Sequence, residues 1–188
     1  GSWNAAGTRS GRFSCQKLWR GGAKGKRREV GLPMQTLPKS FKRHFLADHG
    51  YILFDVDLSQ AENRIVAWLA PEERMKRAFL SGQDVHALTA SLLFGIPLEE
   101  VSDKEGSSPL AGGDHSQRHW GKMCNHALNY GLGYKKFSLR MEIPERDGKK
   151  LVEAYHAAYP AVREKFHKQV EQELKANHRM ITNPYGRR

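Results

Sequence analysis

Four side chains recur at four-residue intervals in the second half of the chain: Arg118, Lys122, His126 and Tyr130. On an α-helix this spacing places all four on one slowly drifting face, over roughly 18 Å at about 1.5 Å per residue. Two fixed cations at one end and a ring at the other suit a nucleoside triphosphate, with phosphates at the cations and sugar and base near the ring. The ordinary alternatives are a solvated face for the cations and a core position for the tyrosine.

A second candidate is the segment Asp57–Arg64, which follows the short apolar run 51–56. Divalent cations that act on phosphates prefer carboxylate oxygens, and the end of a strand holds such a group rigidly. Asp55 and Asp57 share one face of a strand, so their spacing leaves the choice between them open. A surface aspartate at a strand-to-helix turn is the ordinary alternative.

Hydrophobic periodicity and turn residues predict the elements that must position these groups. Strands are predicted over 8–15, 50–57 and 179–182. The predicted helices are one that begins after Ser59, one that ends near Leu80, one over 85–94 that Asp84 caps and Gly95 closes, the one that carries the four-residue series, and two over about 147–157 and 160–176. The turn formers of 102–115 predict a loop before the helix that carries the series.

The charge of the chain is concentrated near its start. Its formal net charge is +11, and residues 1–50 hold 11 Lys and Arg against 2 Asp and Glu, which gives +9. The basic, glycine-rich run Arg20–Arg28 is of a kind that a phosphate backbone attracts, and a solvated tail is the alternative. Two cysteines, Cys15 and Cys124, give neither a disulfide framework nor a CxxC pair, and the histidine spacing does not fit zinc. Neither a membrane span nor an apolar signal segment is predicted.

The segments 57–64 and 118–131 resemble motif A and motif B of the family A DNA polymerases, the DNA polymerase I family. Motif A of that family reads Asp-x-Ser-Gln-x-Glu-x-Arg. Motif B carries Arg, Lys, an aromatic residue and Tyr-Gly at four-residue steps, and His126 departs from it because the family has Phe or Tyr there. Further segments are similar, so the resemblance runs from about residue 8 to the last residue: Thr8–Ser14, Leu32–Pro38, Asp84–His86, Tyr159–Pro160 and Tyr185–Arg188.

The resemblance implies an α+β chain: a mostly helical fingers subdomain attached to a partial palm sheet of a right-hand polymerase fold. The implied division is 1–58 as the N-terminal palm portion with the basic arm, 59–146 as the fingers with the motif B helix, and 147–188 as helices and a strand that return to the palm.

The resemblance also implies roles for single residues. Asp57 would bind metal with the Leu58 backbone carbonyl, and Glu62 would crowd the 2′ position of the sugar and so favour deoxyribonucleotides. Asp57, Arg118 and Lys122 would be catalytic. The dNTP-binding residues would be Gln60, Glu62, His86, Arg118, Lys122, His126 and Tyr130. The DNA-binding residues would be Arg12, Gln35, Arg64, Tyr130 and Gly131.

Several of these residues have an alternative structural interpretation. Ser59 and Glu62 have the spacing of a capping box, worth about 1 kcal/mol of helix stability, which alone would explain the glutamate. Arg64 would pair with a neighbouring carboxylate, and His86 would be a surface or capping residue.

The predicted function is template-directed DNA synthesis with two Mg²⁺ ions, primer-template DNA and dNTPs, in the cytoplasm, the nucleoid or, for a virus, the host cytoplasm. Because the chain ends at Arg188, before the family's His-Asp-Glu motif, we expect a further segment or chain to supply the second aspartate. The chain would then be a fragment or a split subunit, inactive by itself. The alternatives are a non-catalytic nucleic-acid-binding module and a relative of the single-subunit RNA polymerases, which Glu62 disfavours; a purely structural helical protein ranks last.

Overall fold

The computed structural model describes most of the chain from residue 37 onward and short strands before it. The described residues are 2–4, 14–16, 18–21, 27–30, 37–108, 110, 115–183 and 186. The chain divides into two compact units, Gly1–Asp57 and Leu58–Arg188.

The described part of the first unit contains two antiparallel strand pairs and one short helix. Their bounds are β1 Ser2–Asn4 with β2 Ser14–Gln16, β3 Leu18–Gly21 with β4 Arg27–Val30, and helix α1 Lys39–Lys42. The strand predicted over 8–15 coincides with β2 at its last two residues, and 8–13 lie outside the described residues.

The strand predicted over 50–57 is wrong. Residues 51–58 have no regular secondary structure, and most of their apolar side chains are well exposed. A strand needs a neighbour that takes its backbone hydrogen bonds. Among the described residues, none of the paired strands lies beside this segment.

The second unit is helical throughout its regular part. Its elements are α2 Ala61–Leu69, α3 Glu73–Leu80, α4 Val85–Phe94, a 3₁₀ turn Leu98–Glu100, α5 Gln117–Asn129, α6 Tyr134–Met141, α7 Glu145–Ala158, a π-helical segment Val162–His167 and α8 Lys168–Ala176. Most of these helices agree with the predicted ones to within a few residues. Helix α6 was not predicted, and the single helix predicted over 160–176 is divided into the π-helical segment and α8. The strand predicted over 179–182 is wrong, because these residues form the end of a turn and irregular chain.

The core of the second unit is centred on α4, α5 and α7, and α2, α3 and α6 also contribute buried side chains. Its largest fully buried side chains are Tyr155, Tyr159, Phe137, Met75 and Leu128. Removal of such apolar surface from water is the main force that holds helices together. Cys124 lies at the centre of α5 in this core, and burial raises the pKa of its thiol above the ordinary value.

Gly121 lets α4 and α5 approach closely. A Cβ atom on Gly121 would lie 2.1 Å from the His86 carbonyl oxygen and 2.8 Å from the Ala90 backbone nitrogen. Real side chains do not come so near a backbone, so only glycine fits at this crossing. The contact holds His86 beside the face of α5 that carries the four-residue series.

The caps of α4 and α5 explain where these helices begin. The Asp84 Oδ1 atom accepts hydrogen bonds from the backbone amides of His86 and Ala87, at 2.8 and 3.3 Å, as predicted for an N-cap. Gly95 closes α4 at φ 65°, also as predicted. Ser116 caps α5 and accepts from the His119 amide at 3.0 Å.

The capping box predicted for Ser59 and Glu62 is wrong. The residue before α2 is Gln60, which has a left-handed backbone at φ 53° and makes no side-chain cap. Glu62 is therefore the second helical residue instead of the third.

The described chain is mostly helical with little sheet, which agrees with the predicted helical character. Among the described residues, no helix has the length and apolar character needed to cross a membrane.

Candidate functional site

Helix α5 carries the four-residue series on one side and core residues on the other. Lys122, His126 and Tyr130 are exposed and Arg118 is half-buried. The opposite side of the helix is buried in the core: Trp120, Cys124, Ala127 and Leu128. At the far end the His126 and Tyr130 rings meet edge to face, with centroids 5.8 Å apart. The core position considered for Tyr130 is excluded, because its side chain is 65% exposed.

Two carboxylates hold the Arg118 guanidinium group. Its Nε atom donates to Asp84 Oδ2 at 2.5 Å, and its Nη1 atom lies 3.6 Å from Asp103 Oδ2. Burial alone would raise the pKa of Asp84. The hydrogen bonds from Arg118 and from the His86 and Ala87 amides outweigh that effect, so the pKa of Asp84 lies below its ordinary value.

His86 lies in the first turn of α4, half-buried beside α5. Burial, together with the charges of Arg118 and Lys122, lowers its pKa to about 4, against the opposing effect of Asp84. The ring is therefore neutral at pH 7. Its Nδ1 atom lies 3.1 Å from the Asn125 side-chain nitrogen, which is a donor, so the ring proton belongs on Nε2. His86 can thus donate one hydrogen bond without carrying charge.

A hydrogen bond joins the start of α2 to the residue that follows α5. The Tyr130 hydroxyl donates to Glu62 Oε2 at 2.7 Å. The predicted sugar-excluding glutamate and the predicted base-proximal tyrosine are thus in direct contact. Gly131 follows with φ 70°, a conformation that ends the helix at this point.

Gln60 and Arg64 flank Glu62 along the chain. Arg64 Nε donates to the Ser59 carbonyl at 3.0 Å, and its guanidinium carbon lies 4.5 Å from the centre of the Phe79 ring. Among the described residues Arg64 makes these two contacts instead of the ion pair with a carboxylate that was considered for it. The Gln60 Oε1 atom is buried and has no hydrogen-bond partner among the described residues.

A family model described as DNA polymerase family A matches residues 1–188. The chain belongs to DNA polymerase family A. It is 30% identical over 158 residues to the thermostable DNA polymerase I of Thermus aquaticus, an alignment that covers 84% of this chain and 17% of that protein. It is 32% identical over 162 residues to the DNA polymerase of Mycobacterium phage D29, which covers 85% of this chain and 24% of that one.

The fold is shared with a solved family A structure. The POL domain of Pol1 from M. smegmatis, in complex with DNA primer-template and dNTP, matches with a TM-score of 0.72 and 24% identity, over 99% of this chain and 29% of that chain. The chain therefore spans less than a third of each of these three proteins.

The residues assigned to metal and DNA by family resemblance are only partly within the described structure. Asp57 is the exposed last residue of the first unit, and Leu58 begins the second. Asp55, the competing carboxylate, forms an ion pair with Lys42 at 2.6 Å. Arg12 and Gln35 lie outside the described residues. Where the structure describes the chain, it contains no cluster of three or more His, Cys, Asp or Glu side chains suited to a metal ion.

Two buried asparagines of α5, Asn125 and Asn129, are functional candidates that the sequence reasoning missed. Asn125 contacts His86 and exchanges hydrogen bonds with Thr89, and Asn129 contacts Asn63 on α2. Their residue type could have indicated this role in the sequence, because asparagine is a weak helix former and is seldom buried without a polar partner. Asp84 and Asp103, the partners of Arg118, were also missed as site residues.

Proposed function

We propose that this chain forms the fingers and the N-terminal part of the palm of a DNA-directed DNA polymerase, which extends a primer by nucleotidyl transfer inside the cell. The observation that carries the proposal is the row along one face of α5 and its C-cap: the half-buried Arg118, then the exposed Lys122, His126 and Tyr130, with the Tyr130 hydroxyl bonded to Glu62. Family membership supports the same function. In this proposal the complete polymerase consists of this chain and a further segment that supplies the second aspartate.

Arg118 and Lys122 are the proposed triphosphate clamp. Phosphoryl transfer is catalysed mainly by positioning and by neutralisation of charge, and two cations one helical turn apart supply both. Arg118 has five N–H donors, of which the contacts with Asp84 and Asp103 engage two nitrogen atoms. Its remaining donors can bind phosphate oxygens while the two carboxylates keep the group in place.

His86 is the proposed third phosphate ligand. Because Asn125 lies at Nδ1 and the ring is neutral at pH 7, Nε2–H can donate to a phosphate oxygen. A neutral donor orients the phosphates without adding charge beside Arg118 and Lys122.

The sugar and base would bind at the other end of α5, where His126 and Tyr130 present their rings. Glu62 would crowd the 2′ carbon, and the Tyr130 hydroxyl would hold the Glu62 carboxylate in that position. Gln60 would complete this end of the nucleotide site. A ribonucleotide would then clash with Glu62.

Asp57 and the Leu58 carbonyl fit one part of a two-magnesium site. Both supply hard oxygen ligands, which Mg²⁺ prefers, and Lys42 engages the competing carboxylate of Asp55. Bound Mg²⁺ would neutralise triphosphate charge and favour loss of the proton from the primer 3′-hydroxyl. The proposed source of the second carboxylate is a further segment of the polymerase.

The exposed segment before α2 supports a further polypeptide partner. Four apolar residues lie close together in this segment, and each is more than three-quarters exposed: Tyr51, Ile52, Phe54 and Val56. Exposed apolar surface of this kind marks an interaction site. The proposed partner is the polymerase segment that carries the second aspartate.

Primer-template DNA is the other proposed partner. The residues assigned to it are Arg12, Gln35, Arg64, Tyr130 and Gly131. Contacts of arginine and glutamine with the backbone and minor groove would position the duplex without reading its sequence. The positive charge of residues 1–50 would add affinity that falls as salt rises.

Primer extension on a primed template with Mg²⁺ and dNTPs tests the proposal. We expect extension by the complete polymerase and none by this chain alone. Absence of extension in both samples, with DNA still bound, would favour a non-catalytic binding module instead. Such a module would also show no dNTP-dependent change when nucleotide is titrated with and without Mg²⁺. Preference for rNTPs over dNTPs would favour a relative of the RNA polymerases.

A further inference from the structure

Two hydrogen bonds run side by side between α2 and the end of α5. The outer one joins Tyr130 to Glu62, at 2.7 Å. The inner one joins their chain neighbours, because Asn129 Nδ2 donates to Asn63 Oδ1 at 2.6 Å. Asn63 and Asn129 are each only 6% exposed, so the inner bond lies in the protein interior.

Three elements besides its own helix hold Asn129. Its Nδ2 atom reaches Asn63 on α2, and its Oδ1 atom accepts from the Tyr155 hydroxyl on α7 at 2.8 Å. Its backbone carbonyl lies 2.9 Å from Nε2 of His167, at the end of the π-helical segment. We call Asn63, Asn129, Tyr155 and His167 the Asn129 network.

This network fixes a position more than it adds stability. Asparagine favours helices less than leucine does, and buried polar groups cost free energy unless every one is bonded. The Nδ2 atom of Asn63 is buried without a hydrogen-bond partner among the described residues, so the network is not fully satisfied. Hydrogen bonds are directional, so its three bonds still favour one arrangement of Asn129 and its partners. The π-helical turn is a costly geometry that is frequent at functional sites, and here it brings His167 to the Asn129 carbonyl.

Tyr130 directly follows Asn129 in the chain. The His167 ring, which contacts the Asn129 carbonyl, also packs beside Gly131 on the other side of Tyr130. A Cβ atom on Gly131 would lie 3.6 Å from the His167 ring. The backbone on both sides of Tyr130 is thus set by groups that the network positions. The side chain of Tyr130 remains 65% exposed, and its hydroxyl reaches Glu62.

We propose that Asn129 is a positioning residue for the Glu62–Tyr130 pair, and that the Asn129 network thereby sets how strongly the site prefers dNTPs over rNTPs. This inference rests on the proposed function, because it assigns the pair to the sugar of the incoming nucleotide. Asn129 acts through the pair and has no contact with the nucleotide in this proposal. Loss of the network lets the pair shift, and a ribose 2′-hydroxyl then meets less obstruction.

The first test compares dNTP and rNTP incorporation by the complete polymerase carrying Asn129→Leu or the milder Tyr155→Phe. We expect the ratio of kcat/KM for dNTP to that for rNTP to fall by about tenfold or more for Asn129→Leu, since small displacements have such effects. Tyr155→Phe should lower the ratio less. The control is Leu151→Ala, which removes apolar volume from the same helix as Tyr155 and should leave the ratio unchanged. An unchanged ratio in both folded network variants overturns the inference.

A triple variant separates position from stability. Asn63→Leu, Asn129→Leu and Tyr155→Phe together leave fewer polar atoms unpaired than Asn129→Leu alone, so the thermal midpoint should recover towards the wild-type value. The sugar preference should stay low, because the directional bonds are absent. Recovery of the preference together with the midpoint would mean that stability alone sets it, and would overturn the inference.

A double-mutant cycle on unfolding needs no polymerase activity. Tyr155→Phe removes a hydroxyl from Asn129, and Tyr130→Phe removes one from Glu62. If Asn129 couples the Tyr155 hydrogen bond to the Tyr130 hydrogen bond, the effects of the two substitutions on the unfolding equilibrium constant should be non-additive by about threefold or more. Additive effects overturn the positioning of the pair. If the wild-type complete polymerase extends no primer, the proposed function fails, and this cycle still decides the positioning claim.

Discussion

The positive charge of Arg118 contacts two carboxylates of the site. Its guanidinium group bridges Asp84, which also caps α4, and Asp103, which accepts a hydrogen bond from the α5 cap Ser116 at 2.8 Å. The caps of two helices therefore meet at one cation. This arrangement orients Arg118 before any anion arrives, which is the preorganisation that electrostatic catalysis requires.

Replacement of Arg118 by alanine should lower kcat/KM for dNTP incorporation by about 100-fold, since loss of one preorganised donor has effects of that order. Single-nucleotide incorporation by the complete polymerase measures it. Arg140→Ala removes an exposed arginine from α6 and serves as the control, with an expected change within about twofold. Equal losses in the two variants would contradict the assignment of Arg118.

The two aspartates before α2 make a matched pair of substitutions. Asp57→Asn should abolish primer extension by the complete polymerase and leave DNA binding measurable, because it removes the charge of a metal ligand and keeps its shape. Asp55→Asn removes only the exposed ion pair with Lys42, worth about 1 kcal/mol or less, and should retain extension. Extension by Asp57→Asn that equals the wild-type rate would refute the metal-site assignment.

At the scale of elements, the closeness of α4 and α5 determines whether His86 and Arg118 share one site. Gly121 makes that closeness possible, because any larger residue would meet the α4 backbone. The bounds of α4 were predictable from its caps, Asp84 and Gly95, whereas the α5 cap Ser116 and helix α6 were not predicted. The ion-pair partners of Arg118 were not predictable, because Arg118 lies 34 residues from Asp84 and local sequence patterns do not encode such contacts.

Gly121→Ala tests this helix crossing. Alanine favours helices by about 1 kcal/mol over glycine, but the clash with backbone atoms should prevail and destabilise the protein by about 1–3 kcal/mol. Urea unfolding measures the difference. Gly133→Ala is the control, because Gly133 has φ −71° and its added Cβ would meet nothing within 4 Å, so we expect a change within about 0.5 kcal/mol. A neutral Gly121→Ala would show that the helices can separate at little cost.

Two further misses at this scale come from sequence patterns that express only local preferences. The capping box failed because Gln60 takes a left-handed backbone and shifts the start of α2 by one residue. The strand over 50–57 failed because strand formation depends on a neighbour, which an alternating apolar pattern cannot supply by itself. Both patterns express local preferences, and the wider structure overrode them.

At the scale of the whole molecule, two half-buried, neutral histidines link stability to pH. Burial, with the charge of Arg163 and His167, lowers the pKa of His156 to about 4, and His86 has a similar value, against an ordinary 6.5. Between pH 6.5 and 4 the unfolded chain therefore binds more protons than the folded chain. Because the folded state lacks those protons, the free energy of unfolding falls as the pH drops through that range.

The pH dependence can be reduced by one substitution. His156→Phe keeps a ring against Tyr155, whose centroid lies 5.3 Å from that of His156, and removes the titrating group. Urea midpoints measured between pH 8 and pH 4.5 should decline less steeply below pH 6.5 in the variant than in the wild type. Parallel curves for the two proteins would show that His156 does not contribute to the acid sensitivity.

The buried thiol of Cys124 makes the core behind the site observable by chemistry. The thiolate is the form that alkylating reagents attack, and both burial and the raised pKa of Cys124 suppress it in the folded state. Alkylation at this position must therefore wait for α4 and α5 to part. The alkylation rate, measured by mass spectrometry, therefore reports how often the α4–α5 interface opens. If bound nucleotide closes the site between these helices, it should lower that rate.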